Sequence, residues 1–250
     1  MKKKMFLILI VIVLFLCSSN LIFSKEPPTH GTYPLQIKYP KLMLYRGNSD
    51  FKQIALTFDD GPDQRFTPKI LDVLKKHDVK ATFFLLGVRV QKNPNVAKRI
   101  VQEQHVVGNH TYWHPNLVKS GALDLTWEIK KTEQQIKETT GYETTLFRSP
   151  YGIANDKLVQ KLAELNYRGV GWSVDTEDWK SLPSKKIVSN VINNIHSGGI
   201  ILMHSAGHWT QDLSGTVNAL DRLIPALKKE GYEFVSIPEM WDRMPENDLK

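Results

Sequence analysis

The sequence predicts an α/β fold, a (β/α) barrel of about seven units forming a single domain. Three observations predict it. From residue 52 onward, short apolar runs alternate with longer amphipathic segments in unbroken succession. Such alternation implies a parallel sheet with helices outside it, because parallel neighbours need a crossover between them. The number of units favours closure into a barrel over an open sheet. Finally, the polar residues of unusual chemistry fall just after the apolar runs, where parallel β/α folds carry their sites.

The elements follow in order. A strand is expected over residues 53–58 and a helix over 67–77, then a strand over 81–86 and a helix over 93–104. The run 105–108 leads to a long helix over 123–139. Further strands read at 144–147, 167–174, 199–203 and 233–237, with helices at 154–165, 185–196 and 213–230. The short runs are strand-length and the long ones have helical period.

The N-terminus reads differently. Lys2, Lys3 and Lys4 precede an apolar run from Met5 to Cys17, a basic region before a hydrophobic one, so residues 1–24 are expected to be a signal peptide or an N-terminal membrane anchor. The product is therefore expected to be exported, either membrane-anchored at the cell surface or extracellular. Leu14, Phe15 and Leu16 are bulky where a lipid-modified cysteine would follow small residues. Residues 25–51, with Pro27, Pro28, Gly31, Pro34 and Pro40, read as a linker or N-terminal arm. The domain is expected over 52–241, and 242–250 as a polar tail.

Cys17 is the only cysteine, which excludes a disulfide framework and a cysteine metal cluster, so any metal must be held by histidine and carboxylate. Of 33 basic residues three are Lys2 to Lys4, and against 26 acidic residues the remainder carries +4. That balance is too mild to argue for nucleic acid, though compatible with an anionic wall polymer.

Two motifs carry the chemistry. Thr57-Phe58-Asp59-Asp60-Gly61 puts adjacent carboxylates at the mouth of a strand, and His110-Thr111-Tyr112-Trp113-His114 sets two imidazoles four residues apart. Each has an ordinary reading, a turn for the first and solvated histidines for the second. Together they offer two histidines and a carboxylate, the ligand set of many catalytic zinc sites, with a second carboxylate left to accept a proton from water. The ligand set also accepts other first-row divalent ions.

With Arg148-Ser149-Pro150-Tyr151, Asp175-Thr176-Glu177-Asp178-Trp179 and Leu202-Met203-His204, these motifs resemble, in order, the five motifs of the polysaccharide deacetylases, carbohydrate esterase family four. The likeness runs from about Gln53 to His204. It implies one catalytic domain, one divalent metal ion, zinc foremost, and hydrolytic removal of acetyl groups from N-acetylated sugars. Position by position, it makes Asp59 the general base and Asp60, His110 and His114 the metal ligands. Tyr151 is expected to lend its backbone N–H to the oxyanion, Arg148 to hold Asp59 and keep it ionised, and His204 to protonate the departing nitrogen. Asp178 is expected to support either His204 or Arg148. Trp179 would present a flat face to the sugar or the acetyl group, and Leu202 would help wall the acetyl methyl. Ser149 stands where a second proline is frequent in the family.

The substrate expected is N-acetylglucosamine in peptidoglycan, with N-acetylmuramic units, chitin oligosaccharides and O-acetyl xylan as alternatives. A catalytically silent wall-binding protein is the reading from another class. The protein is expected to act as a monomer, without nucleic acid, and to touch the membrane through its N-terminal segment if that is uncleaved. His30, His77, His105 and His196 read as solvated or capping. His208 and Trp209, after His204, and Asp63 and Arg65, after the first motif, are open between a rim of the groove and local structure. Tyr112 and Trp113 are candidate walls; Trp127, Trp172 and Trp241 read as core.

Overall fold

The computed structural model describes residues 33–117 and 122–245; the expected export segment lies outside the described residues. Nine strands and nine α-helices follow one another among those described. The strands are β1 (Met43–Leu44), β2 (Gln53–Asp59), β3 (Thr82–Leu85), β4 (Val106–Asn109), β5 (Leu146–Phe147), β6 (Arg168–Val170), β7 (Val174–Asp175), β8 (Gly199–His204) and β9 (Glu233–Phe234). The helices are α1 (Pro34–Lys38), α2 (Thr67–Lys76), α3 (Gly87–Lys92), α4 (Pro94–Gln102), α5 (Ala122–Thr140), α6 (Asp156–Glu164), α7 (Ser184–Asn194), α8 (Ser214–Lys229) and α9 (Ile237–Asp242).

All pairings between these strands are parallel, in the order β1-β6-β5-β4-β3-β2-β8-β7, with β9 on β2. The ring closes through the residues after β1. Arg46 bridges Gly199, and the Gly47 N–H donates to the Gly198 carbonyl at 2.8 Å. Gly198 has φ +78° and lies so close to Gly47 that a Cβ there would meet its carbonyl oxygen at 2.4 Å, so only glycine fits. The result is a distorted (β/α) barrel.

β2 is buried at every position and pairs with β8 from Ile54↔Gly199 to Asp59↔His204. A strand covered on both faces reads as a continuous apolar run, and residue parity sorts its side chains. Ile54, Leu56 and Phe58 join the layer beneath α2 and α8, while Ala55 meets Phe84, Ile200, Leu202 and Trp172 in the barrel interior. By the same parity Thr57 and Asp59 stand on the interior face, and Leu202 and His204 do so on β8. The interior is thus apolar at its base and polar at the carboxyl ends of the strands.

Several expectations are corrected. Of the linker or N-terminal arm expected over 25–51, the described part is a packed arm and no spacer: Tyr33, Met43, Leu44 and Tyr45 are buried, and β1 pairs with β6. The prolines masked an apolar segment too short to show a period. The expected strand 167–174 is two, because Gly171-Trp172-Ser173 carries the chain from the β5 side to β8. The expected strand 233–237 is only β9, after which a capping box, Ser236 with Glu239, opens α9. The helix α3, absent from the sequence reading, fills the connection before α4. Trp172 and Trp241 are core as expected, but Trp127 is 49% exposed.

Candidate active site

Every residue named from the sequence as a site candidate lies at or just beyond the carboxyl end of a strand, or on the interior face below it. Asp59 ends β2, and its Oδ1 accepts from Arg148 Nη1 at 2.8 Å. Arg148 follows β5 and is 1% exposed. It also donates to Thr57 Oγ1 at 2.8 Å and to the carbonyls of Gly171 and Val170 at 2.8 and 3.2 Å. Its guanidinium lies 4.2 Å from the centre of the Phe84 ring. A buried ion pair persists only when its remaining donors are matched in this way. Burial pushes the Asp59 carboxyl above the usual carboxylate range, with Arg148 and His204 opposing the shift. Arg148, which was expected to hold Asp59 and favour its ionised form, does hold it and works against the desolvation that burial imposes on it.

Asp60, with φ 68°, turns out of the strand. Its Oδ1 is buried and has no hydrogen-bond partner, yet stands 3.5 Å from His110 Nε2 and 3.4 Å from His114 Nε2. The three ligand atoms lie within 4.8 Å of one another. His110 Nδ1 is 2.8 Å from the Arg148 carbonyl, which only accepts, so Nδ1 carries the proton and Nε2 keeps its lone pair. Burial and the adjacent His114 lower the His110 pKa to about 3, leaving a neutral imidazole. An orphaned carboxylate oxygen between two imidazole nitrogens, one of fixed tautomer, fits a divalent cation.

The histidine spacing resembles a helical one, but the segment is a loop. Thr111 (φ 74°) and His114 (φ 62°) are left-handed, and this folds the two rings to 5.0 Å. The side chain of Asn109 accepts from the Thr111 N–H, and Thr111 Oγ1 accepts from the His114 N–H. Buried Glu128 on α5 accepts from the N–H groups of Tyr112 and Trp113 at 2.6 and 2.9 Å. Glu128 was missed in the sequence, although a lone carboxylate among the buried Leu125, Ile129, Thr132 and Ile136 was a readable signal.

His204 ends β8, and its Nδ1 lies 2.7 Å from Asp178 Oδ1. Asp178 Oδ2 accepts from the His204 N–H and from Thr216 Oγ1, each at 2.8 Å. Of the two partners left open for Asp178, the structure pairs it with His204. Burial works against the imidazolium, but Asp178, Asp60 and Asp59 outweigh it and push the His204 pKa up to about 10. Tyr151 sits in a 3-10 turn, Pro150–Gly152, with φ 60°, and its half-exposed ring packs edge-on against His114 at 4.6 Å. Trp179 is half-buried, with Lys180 Nζ 4.8 Å over its ring. Leu202 is buried one step below His204. Asp63 proves local, since its Oδ1 accepts from the N–H groups of Arg65, Phe66 and Thr67.

The arrangement is that of a hydrolase: a possible cation site, a buried carboxylate and a cationic imidazole gathered at the mouth of a β/α barrel. The family model described as polysaccharide deacetylase matches residues 46–170. A peptidoglycan-N-acetylglucosamine deacetylase of Bacillus cereus is 47% identical over 204 residues, covering 81% of this chain and 73% of its own. A peptidoglycan-N-acetylglucosamine deacetylase of Listeria monocytogenes, PgdA, is 41% identical over 83% of this chain, which spans only 42% of that longer protein. A peptidoglycan-N-acetylmuramic acid deacetylase of Bacillus subtilis, PdaA, is 36% identical over 86% of this chain and 81% of its own. Among solved structures, a peptidoglycan N-acetylglucosamine deacetylase in complex with 4-naphthalen-1-yl-N-oxidanyl-benzamide superposes with a TM-score of 0.78 at 46% identity, covering 81% of this chain and 94% of that one. This chain belongs to the polysaccharide deacetylase family, carbohydrate esterase family four, hydrolases of non-peptide carbon–nitrogen bonds.

Proposed function

We propose that this protein hydrolyses the acetamide of N-acetylglucosamine units in peptidoglycan, using one divalent ion, zinc, held by Asp60, His110 and His114. The observation that carries the reading is the meeting of the Asp60–His110–His114 cluster with the Asp59–Arg148 and His204–Asp178 pairs at one end of the barrel. The relatives named for glucosamine units, at 47% and 41% identity, lie nearer than those named for muramic units, at 38% and 36%. The muramic unit is therefore the second reading. Residues 1–24 would export the chain and either be cleaved or hold it at the membrane beside its polymer.

An ion held by these side chains would act as a Lewis acid, polarising the acetyl carbonyl and bringing the pKa of the attacking water toward neutrality. Asp59 accepts the proton of that water, and its raised pKa makes it a stronger base than a solvated carboxylate. Arg148 fixes one oxygen of Asp59, so the other faces the reaction. The Tyr151 N–H donates to the oxyanion as the carbonyl carbon becomes tetrahedral. His204, held protonated by Asp178, gives its proton to the amide nitrogen as the C–N bond breaks, leaving acetate and the free amine. Trp179 and Leu202 are assigned to the sugar and the acetyl methyl.

The test is release of acetate and free amine from N-acetylated peptidoglycan, chitin oligosaccharides and acetylated xylan, before and after chelation and with Zn²⁺ restored. Amine release that is greatest on peptidoglycan, abolished by chelation and restored by Zn²⁺, is expected. Acetate without amine from any N-acetyl sugar would make the protein an esterase. Inactivity with tight wall binding would make it a silent binder.

A further inference from the structure

The loop between β8 and α8 holds a contradiction. Trp209, five residues beyond His204, is 78% exposed, the most exposed large apolar side chain among the described residues. Such a group ordinarily rides on a loose loop or turns inward. Here the loop is braced from three sides. Arg65 donates through Nη2 to the His208 carbonyl at 3.1 Å and through Nη1 to the Trp209 carbonyl at 3.0 Å. Arg89 Nη2 donates to the Gly207 carbonyl at 2.7 Å. Gln211 accepts from the His208 N–H and donates through Nε2 to the Trp179 carbonyl at 2.8 Å, tying this loop to the one that carries Asp178 and Trp179.

Two guanidinium groups and an amide thus brace the backbone of a segment whose indole is largely exposed beside the His208 ring. An apolar face left exposed on a braced backbone suits a ligand with a flat apolar face and a polar perimeter, which describes a pyranose ring. We propose that Trp209 is a stacking platform for a sugar of the glycan strand beyond the one being deacetylated, and that Arg65 is its positioning residue. This inference rests on the deacetylase reading for the identity of the ligand and adds a preference for longer strands. Because the platform is separate from the reacting atoms, it acts on binding and leaves the chemical step alone.

The zinc-loaded protein, with Trp209→Ala, Trp209→Phe and Arg65→Ala variants, would be titrated calorimetrically with N-acetylglucosamine dimer and hexamer and assayed on both for acetate release. Trp209→Ala is expected to weaken hexamer binding and raise its KM about tenfold, with kcat within about twofold and the dimer unaffected. Trp209→Phe is expected to recover most of the loss, and Arg65→Ala to reproduce it. Unchanged hexamer affinity in Trp209→Ala overturns the proposal, and so does an equal loss on dimer and hexamer. Absence of acetate release from both oligosaccharides would count against chitin oligomers as substrates, the deacetylase reading being decided by the assay on peptidoglycan, while the calorimetric comparison still decides the platform.

Discussion

Asp59 is a carboxylate that burial drives toward neutrality and that Arg148 and His204 draw back. Replacing it by Asn preserves its shape and removes the base, so Asp59→Asn is expected to lower kcat by on the order of 10²- to 10⁴-fold, measured as acetate release. Zn²⁺ affinity, measured by chelator competition, should hardly move, since the cluster is formed by Asp60, His110 and His114. His204 presents the opposite sign. Its pKa is raised from 6.5 to about 10 with Asp178 as the foremost positive contribution, so it stays protonated through neutral pH. Asp178→Asn is expected to move the alkaline limb of the kcat/KM profile to lower pH and to reduce activity near pH 8 by roughly 10²-fold. The pair also contributes stability that is fully present below pH 6.5 and lost as pH rises through about 10, so urea midpoints of wild type and Asp178→Asn should converge at high pH.

The loop after β4 decides whether two histidines become one site. Its two left-handed residues hold only because Asn109, Thr111 and Glu128 occupy the backbone N–H groups that the irregular path leaves over. Glu128→Ala would strand two N–H groups, at about 1–3 kcal/mol for each that is left unpaired. It is expected to weaken Zn²⁺ binding about 10- to 100-fold, as loss of a supporting partner does at other metal sites, and to lower Tm. Chelator competition and thermal melting would check both. Unchanged Zn²⁺ affinity would show that the histidines are placed without α5.

The barrel depends on the segment that looked like a spacer. Residues 33–47 bury Tyr33, Met43, Leu44 and Tyr45, pair with β6 and close the ring against β8. A chain beginning at Lys52 loses this apolar burial, worth about 1.5–3 kcal/mol per fully buried large side chain. Its Tm is expected to fall by on the order of 10 °C or more relative to a chain beginning at Tyr33. Equal melting temperatures would show that the ring closes without β1.

Much of this was legible in the sequence because the chemistry is carried by residue types in order. Asp59-Asp60, His110 to His114, Arg148, Asp178 and His204 each follow an apolar run, and a parallel β/α fold brings such positions to one end. Parity along β2 even separates Thr57 and Asp59 from Ile54, Leu56 and Phe58. The sequence could not reveal contacts between distant segments. Asp178 could have served Arg148 or His204, and only packing of the loop after β7 against β8 and α8 set it on His204 and Thr216. Arg148 announced a cation, but its burial, and so the balance that raises Asp59, comes from Phe84 and Trp172 far along the chain. Local pattern determined which residues carry the chemistry; long-range packing decided their partners, tautomers and charges, because desolvation and hydrogen-bond geometry exist only once the barrel has closed.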